Sequence, residues 1–135
     1  MALSPAPSLT DEIREYLSAP RHATISTLDA DGAPHQAVVW YLLDGERLLI
    51  NSRAERRWPQ NLQRDPRVSV AVQDRERPGH WVGLSGRAVL LHEGDDALGD
   101  IQRLAERYGG NPAGFVGQAR VTFAIEIDRT YEYWS

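Results

Sequence analysis

The chain contains no cysteine. Disulfides, thiolate nucleophiles and zinc–sulfur centres are therefore excluded. Lysine is also missing: all 15 basic residues are Arg. No Schiff-base or general-base lysine can operate here. Arg codons are GC-rich, so this usage points to a high-GC bacterial genome. No apolar run approaches the roughly 18 residues of a membrane span, so no membrane partner is expected. The four His, at positions 22, 35, 80 and 92, show no short metal-ligand spacing. Each reads as a surface or turn residue, and no metal is expected. The chain also lacks a Gly-x-Ser-x-Gly elbow, a Walker loop and a dinucleotide glycine fingerprint.

What is present suits one globular domain. At 135 residues, 41% hydrophobic and 25% charged, the chain is long enough for a core and ordinary in balance. Its net charge of −4 argues against nucleic acid as a partner. The first residues, MALSPAPSLTDE, lack the basic start and apolar centre of a signal peptide, so a cytoplasmic location is expected. Residues 1–9, with Pro5 and Pro7, read as a flexible arm, and 10–135 as a single domain.

Thr10 is the expected N-cap of a short helix over Asp11 to Ser18, with Leu9, Ile13, Tyr16 and Leu17 on one face. Ala23 to Leu28 reads as a strand, Asp29 to Gly32 as a turn, and His35 to Leu43 as one long strand. Asp44-Gly45 turns the chain into a third strand over Arg47 to Asn51, completing a three-stranded meander. Trp58 to Arg64 reads as a short helix stopped by Asp65-Pro66. Val68, Val70 and Val72 mark a fourth strand, and His80 to Leu91 a fifth that contains Gly83 and Gly86. Glycines inside a strand suggest a bulge, a barrel bend or the close approach of something flat. Ala97, Ile101, Leu104 and Tyr108 space a helix over Asp95 to Tyr108, closed by Gly109-Gly110. Asp95 and Asp96 suit its dipole rather than acid–base work. Val121 to Ile127 alternates as a sixth strand, and Tyr131, Tyr133 and Trp134 suggest a last short one. The class is mainly β. Six or seven antiparallel strands with two or three peripheral helices need closure to hide their edges, and a Greek-key or split barrel supplies it.

The stretch with the most chemistry is Asn51 to Val72, NSRAERRWPQNLQRDPRVSVAV. Between Asn51 and Arg67 five Arg face only Glu55 and Asp65, a local excess of about three positive charges in an acidic chain. Strand, basic loop and helix start make a ready anion site: guanidinium forks fit phosphate oxygens, and free N–H groups add to the pull. A loop rich in Arg can equally be solvated surface. Few other reactive groups are offered, so the pattern points to a phosphorylated, flat-ringed cofactor that brings its own chemistry. Candidate ring contacts are Gln36, Val38 and Trp40 on the long strand, where Trp40 and Tyr41 can also read as core or interface.

Several stretches resemble the pyridoxamine 5'-phosphate oxidase-like split-barrel superfamily, and more closely its branch of flavin/deazaflavin oxidoreductases of actinobacterial type. They are ATISTLDADGAPHQAVVWYLLDGERLLINS, RRWPQNLQRDPRVSVAV, WVGLSGRAVLL, IQRLAERYGG and RVTFAIEI. The resemblance implies an FMN-binding type of split barrel. It implies a homodimer with the cofactor groove at the subunit interface. It places Asn51, Ser52, Arg53, Arg56 and Arg57 near the cofactor phosphate, with Trp58 and Pro59 starting the helix beside it and Asn61 anchoring the turn. Many relatives carry a Lys where this chain has Trp58, which leaves Arg57 as the candidate replacement. An acidic cofactor tail would leave past Arg53, Arg56 and Arg57, with Arg64 a further candidate. The implied activity is hydride transfer between coenzyme F420 and a small organic substrate, with a Tyr or Ser as proton donor. The alternatives are an FMN-dependent oxidoreductase of the same fold and a protein that binds flavin, deazaflavin or tetrapyrrole without turnover.

Overall fold

The computed structural model describes residues 9–134. The first helix, α1 (Asp11–Ser18), forms where its pattern places it. Thr10 Oγ1 accepts the Ile13 N–H at 3.1 Å, and Ile13, Tyr16 and Leu17 are buried. Leu9, the last residue of the expected arm but part of the apolar face read for α1, is buried in the core, and its N–H donates to Glu46 Oε2 at 2.8 Å. The rest of the expected arm, residues 1–8, lies outside the described residues.

Seven strands form one antiparallel sheet. They are β1 (Ala23–Leu28), β2 (Pro34–Val39), β3 (Leu42–Asp44), β4 (Arg47–Arg53), β5 (Arg67–Gln73), β6 (His80–Glu93) and β7 (Arg120–Trp134). Two further helices, α2 (Arg57–Arg64) and α3 (Gly94–Tyr108), and a 3-10 turn at Pro112–Phe115 complete the described elements. The order across the sheet is β2-β1-β5-β6-β7-β4-β3.

That order corrects the expected meander. The long strand over His35 to Leu43 is broken at Trp40-Tyr41. Its first half pairs with β1, and its second half pairs with β4 at the opposite edge of the sheet. The break has a local cause. The Tyr41 side chain is fully buried and its hydroxyl donates to the Ala19 carbonyl at 2.9 Å. Its backbone is taken up by α3 instead of a ladder: Tyr41 N–H donates to Tyr108 Oη at 3.2 Å, and Arg107 Nε donates to the Tyr41 carbonyl at 3.2 Å.

The same break dictates the barrel. Seven flat strands would hold their outer edges about 29 Å apart. Here the two edge strands are joined by Trp40 and Tyr41 alone, a reach of about 11 Å. The sheet must therefore curl until its edges meet, and it does so as a split barrel. Ile25, Tyr41, Leu48, Ile50, Val72, Leu84, Phe123 and Ile125 fill the interior, with α1 and α2 adding Leu17 and Leu62.

The expected sixth strand and the aromatic tail are one continuous strand, β7, with a register shift opposite Ser85 and Gly86. Gly86 sits where a Cβ would lie 2.0 Å from the Glu126 carbonyl oxygen, so only glycine fits the bulge. A Cβ at Gly83 would meet the Tyr131 ring at 2.7 Å, a close approach by something flat. Thr122 and Ala124, which alternation would place in solvent, are buried. Helix α3 packs against β7, β4 and β6 and covers that face with Ala97, Ile101, Leu104 and Ala105.

Candidate functional site

A cleft of roughly 210 Å³ opens where the end of β2, strand β4, the start of α2 and the face of α3 converge. Each wall follows from the fold. The break after β2 delivers Val38, Val39 and Trp40. Strand β4 delivers Asn51 and Ser52, the loop after it Arg56, and α2 Trp58. Ile101 and Leu104 of α3, with Phe115, His22 and Arg120, close the rest.

Of the residues proposed from sequence, Val38, Trp40, Asn51, Ser52, Arg56 and Trp58 line this cleft; Gln36, Arg53, Arg57, Pro59 and Asn61 do not. Gln36 is exposed on β2 beside Ser26. Arg53 ends β4 directly opposite Arg120 and lies 3.9 Å from Glu55, both exposed. Arg57 is held elsewhere: its Nε donates to Asp29 Oδ1 at 2.9 Å and its Nη2 to the other carboxylate oxygen. Asn61 Nδ2 donates to Thr27 Oγ1 at 3.0 Å and Asp29 Oδ1 at 2.9 Å, fastening α2 to the end of β1. Arg64 is similarly occupied, by the Leu28 carbonyl and Asn61 Oδ1. Pro59 is buried as the third residue of α2 and has no N–H to offer a ligand.

Arg120 is the residue that sequence reading passed over. It opens β7, is 8% exposed, and has no carboxylate partner among the described residues. Its Nε donates to Asn51 Oδ1 at 2.9 Å and its Nη1 to Gln118 Oε1 at 2.8 Å. Its guanidinium lies over the Phe115 ring, 5.2 Å from the centroid. Burial, followed by repulsion from Arg56 and Arg53, pushes it down to about 10, so it stays charged at neutral pH. Glu55 acts on it only from a distance, and a buried cation with no carboxylate in contact costs on the order of several kcal/mol. An anion in the cleft would repay that cost. The signal in the sequence was slight: one charge at the head of the otherwise uncharged run RVTFAI.

Two further features favour an anion. Arg56, the N-cap of α2, makes no side-chain cap bond, so the helix start is uncapped from within the chain. Arg56 itself pairs with no carboxylate among the described residues. The apolar part of the cleft is built from packed rings. Trp40 stacks on Tyr108 with centroids 5.1 Å apart at 8°, and Phe115 meets its edge at 6.4 Å. Asn51, proposed as a ligand contact, is saturated by protein groups: its Nδ2 donates to the Ala97 carbonyl and to Thr122 Oγ1, each at 2.8 Å. Among the described residues no cluster of His and carboxylates could hold a metal, and no helix is long and apolar enough to cross a membrane.

Comparison with known proteins agrees with this architecture. The family model for pyridoxamine 5'-phosphate oxidase matches residues 9–134. No curated protein matches the chain. Among solved structures, an F420 reductase superposes with a TM-score of 0.78 at 22% identity, covering 91% of this chain and 98% of its own. A conserved hypothetical protein from Mycobacterium tuberculosis gives 0.77 at 24%, covering 98% and 89%. The heme storage protein HutZ from Vibrio cholerae gives 0.74 at 18%, covering 94% and 96%. At these identities the structural likeness is one of fold, which hosts reductase and storage protein alike. The match over all of the described residues, with the seven-stranded split barrel, shows that this protein belongs to the pyridoxamine 5'-phosphate oxidase family.

Proposed function

We propose that the cleft binds the phosphate-bearing end of coenzyme F420, and that the protein is an oxidoreductase passing hydride between this deazaflavin and a small organic substrate. The observation that carries the reading is Arg120, a buried guanidinium without a carboxylate, facing a cleft that also holds Arg56. Arg120 and Arg56 would hold the phosphate. Arg53 lies within electrostatic reach of Arg120, at the end of β4. With Arg56 and Arg120 in the cleft and Arg53 outside it, the positive charge extends past a single phosphate site, which suits a cofactor with further acidic groups. Trp58, Ile101 and Leu104 exclude water, and the stacked Trp40 offers a fixed wall to a flat ring. His22 is the lining side chain suited to moving a proton. When bound, the deazaflavin supplies two-electron hydride chemistry with little reactivity towards oxygen.

The cleft of one chain is smaller than the roughly 300 Å³ at which ligand pockets begin. This supports a groove completed by a second copy, in a homodimer. Val38, 70% exposed on the cleft's rim, suits burial under such a partner.

The test is a paired fluorescence titration with F420 and with FMN. Tight binding of F420, weakened about tenfold (about 1.4 kcal/mol) by Arg56→Ala, is expected. Preference for FMN would reassign the cofactor, and binding of neither would sink the proposal. Binding of F420 without reduction of any enone, nitro compound or quinone in a panel would make the protein a carrier.

A further inference from the structure

Arg120 is linked through hydrogen bonds to a carboxylate that it does not touch. Behind it runs a line of buried polar groups that the cofactor reading leaves unused. Arg120 Nε donates to Asn51 Oδ1 at 2.9 Å. Asn51 Nδ2 donates to Thr122 Oγ1 at 2.8 Å. Thr122 Oγ1 donates to Asp100 Oδ2 at 2.7 Å. His92 Nδ1 meets the same oxygen at 2.7 Å, and Arg103 Nη2 donates to Asp100 Oδ1 at 2.8 Å. Asn51, Thr122, Asp100 and Arg120 are all buried, and His92 stands half-buried at the far end.

The polarity of this line leaves little choice. Arg120 can only donate and the Ala97 carbonyl can only accept, so the amide of Asn51 has one orientation. Its carbonyl faces Arg120 and its amine faces Thr122. The Thr122 hydroxyl has one proton, and with Asn51 donating to it, that proton goes to Asp100. An ionised Asp100 accepts only, so it terminates the line. Burial pushes the Asp100 carboxyl up, but bonds from Thr122, His92 and Arg103 outweigh this and hold it below the usual range.

We propose that Asp100, Thr122 and Asn51 form a positioning relay that sets the Arg120 guanidinium in the cleft for its anionic ligand. The relay lends Arg120 directed support without neutralising it, so its charge stays available to the ligand. A carboxylate in direct contact would compete with a phosphate for the same fork. Thr122 is the residue that joins Asn51 to the carboxylate. Without its hydroxyl, Asn51 loses one of its two acceptors and Asp100 a donor, and only the Ala97 carbonyl still holds the Asn51 amide in place behind Arg120.

The link to ligand binding rests on the proposed function, so the experiment has two arms. The first needs no ligand. Exchange of the Arg120 Nε–H is followed by NMR, the signal being assigned by its loss in Arg120→Gln. It should be protected in wild type and Thr122→Ser, and exchange at least tenfold faster in Thr122→Val. Unchanged protection in Thr122→Val overturns the relay. The second arm titrates F420 and FMN into the same proteins. Thr122→Val should weaken binding about fivefold or more, and Thr122→Ser should restore it to within twofold. The double variant with Arg120→Gln should bind no worse than Arg120→Gln alone. Equal loss in the serine and valine variants would mark a packing role and overturn the proposal. Should wild type bind neither probe, the cofactor assignment falls while the exchange arm still decides the relay. Thr122→Ala removes the same hydroxyl and replaces the valine variant if that one does not fold.

Discussion

Asp29 shows how a single residue can divert a promising one. Its carboxylate accepts from Arg57 and from Asn61, and those bonds, Arg57's first, hold it down to about 2. A carboxyl with a depressed folded value stabilises the fold fully above the ordinary 3.8 and loses that contribution as pH falls through about 2. Asp29→Asn should therefore be less stable than wild type in urea at pH 7, with the gap closing between pH 4 and pH 2. A gap independent of pH would contradict the assignment. The same pairing explains why a run of three Arg in the loop was readable as an anion site but not resolvable into roles. Arg56 reaches the cleft, whereas Arg57 is claimed by a turn 28 positions earlier. Arg120 was illegible for the converse reason. Its importance lies in what it does not contact, and a missing partner leaves no mark in a sequence.

Elements fixed by local periodicity were legible: α1 with its Thr10 cap, α3 with its Gly109 terminus at φ 76°, and the alternating valines of β5. The break between β2 and β3 was not. HQAVVWYLL contains neither Gly nor Pro, and the capture of the Tyr41 backbone by Tyr108 and Arg107 is a contact across more than 60 positions. The burial of both faces of β7 was hidden for the same reason, since α3 covers it from a distance. For the glycines of β6 the sequence left a bulge, a barrel bend and a close approach open; Gly86 takes the first and Gly83 the last. Gly86→Ala sharpens that point. Its Cβ would meet a backbone carbonyl, which cannot swing aside as a side chain can. A loss of about 3 kcal/mol is expected by chemical denaturation, at the upper end for overpacking. A neutral outcome would mean that the bulge can re-register.

At the scale of the whole molecule, the class was legible because long antiparallel strands leave few ways to dispose of their edges. The topology was not, because two of its pairings, β1 with β5 and β4 with β7, join strands that are not consecutive in the chain. Helix α3 and the crossing from β2 to β3 bring together side chains from as far apart as His22 and Arg120, and no short motif records that assembly. If the groove is completed by a second copy, light scattering should give twice the chain mass, and Val38→Glu should shift it towards the monomer. A wild-type monomer at micromolar concentration would remove the interface from the cofactor site. Trp40 and Tyr41 are both the stitch that draws the sheet's edges together and the neighbours of the cleft wall. Prising the barrel apart at that seam must therefore deform the cavity beside it. Whatever wedges against Trp40 is, in mechanical terms, a bolt on the barrel itself.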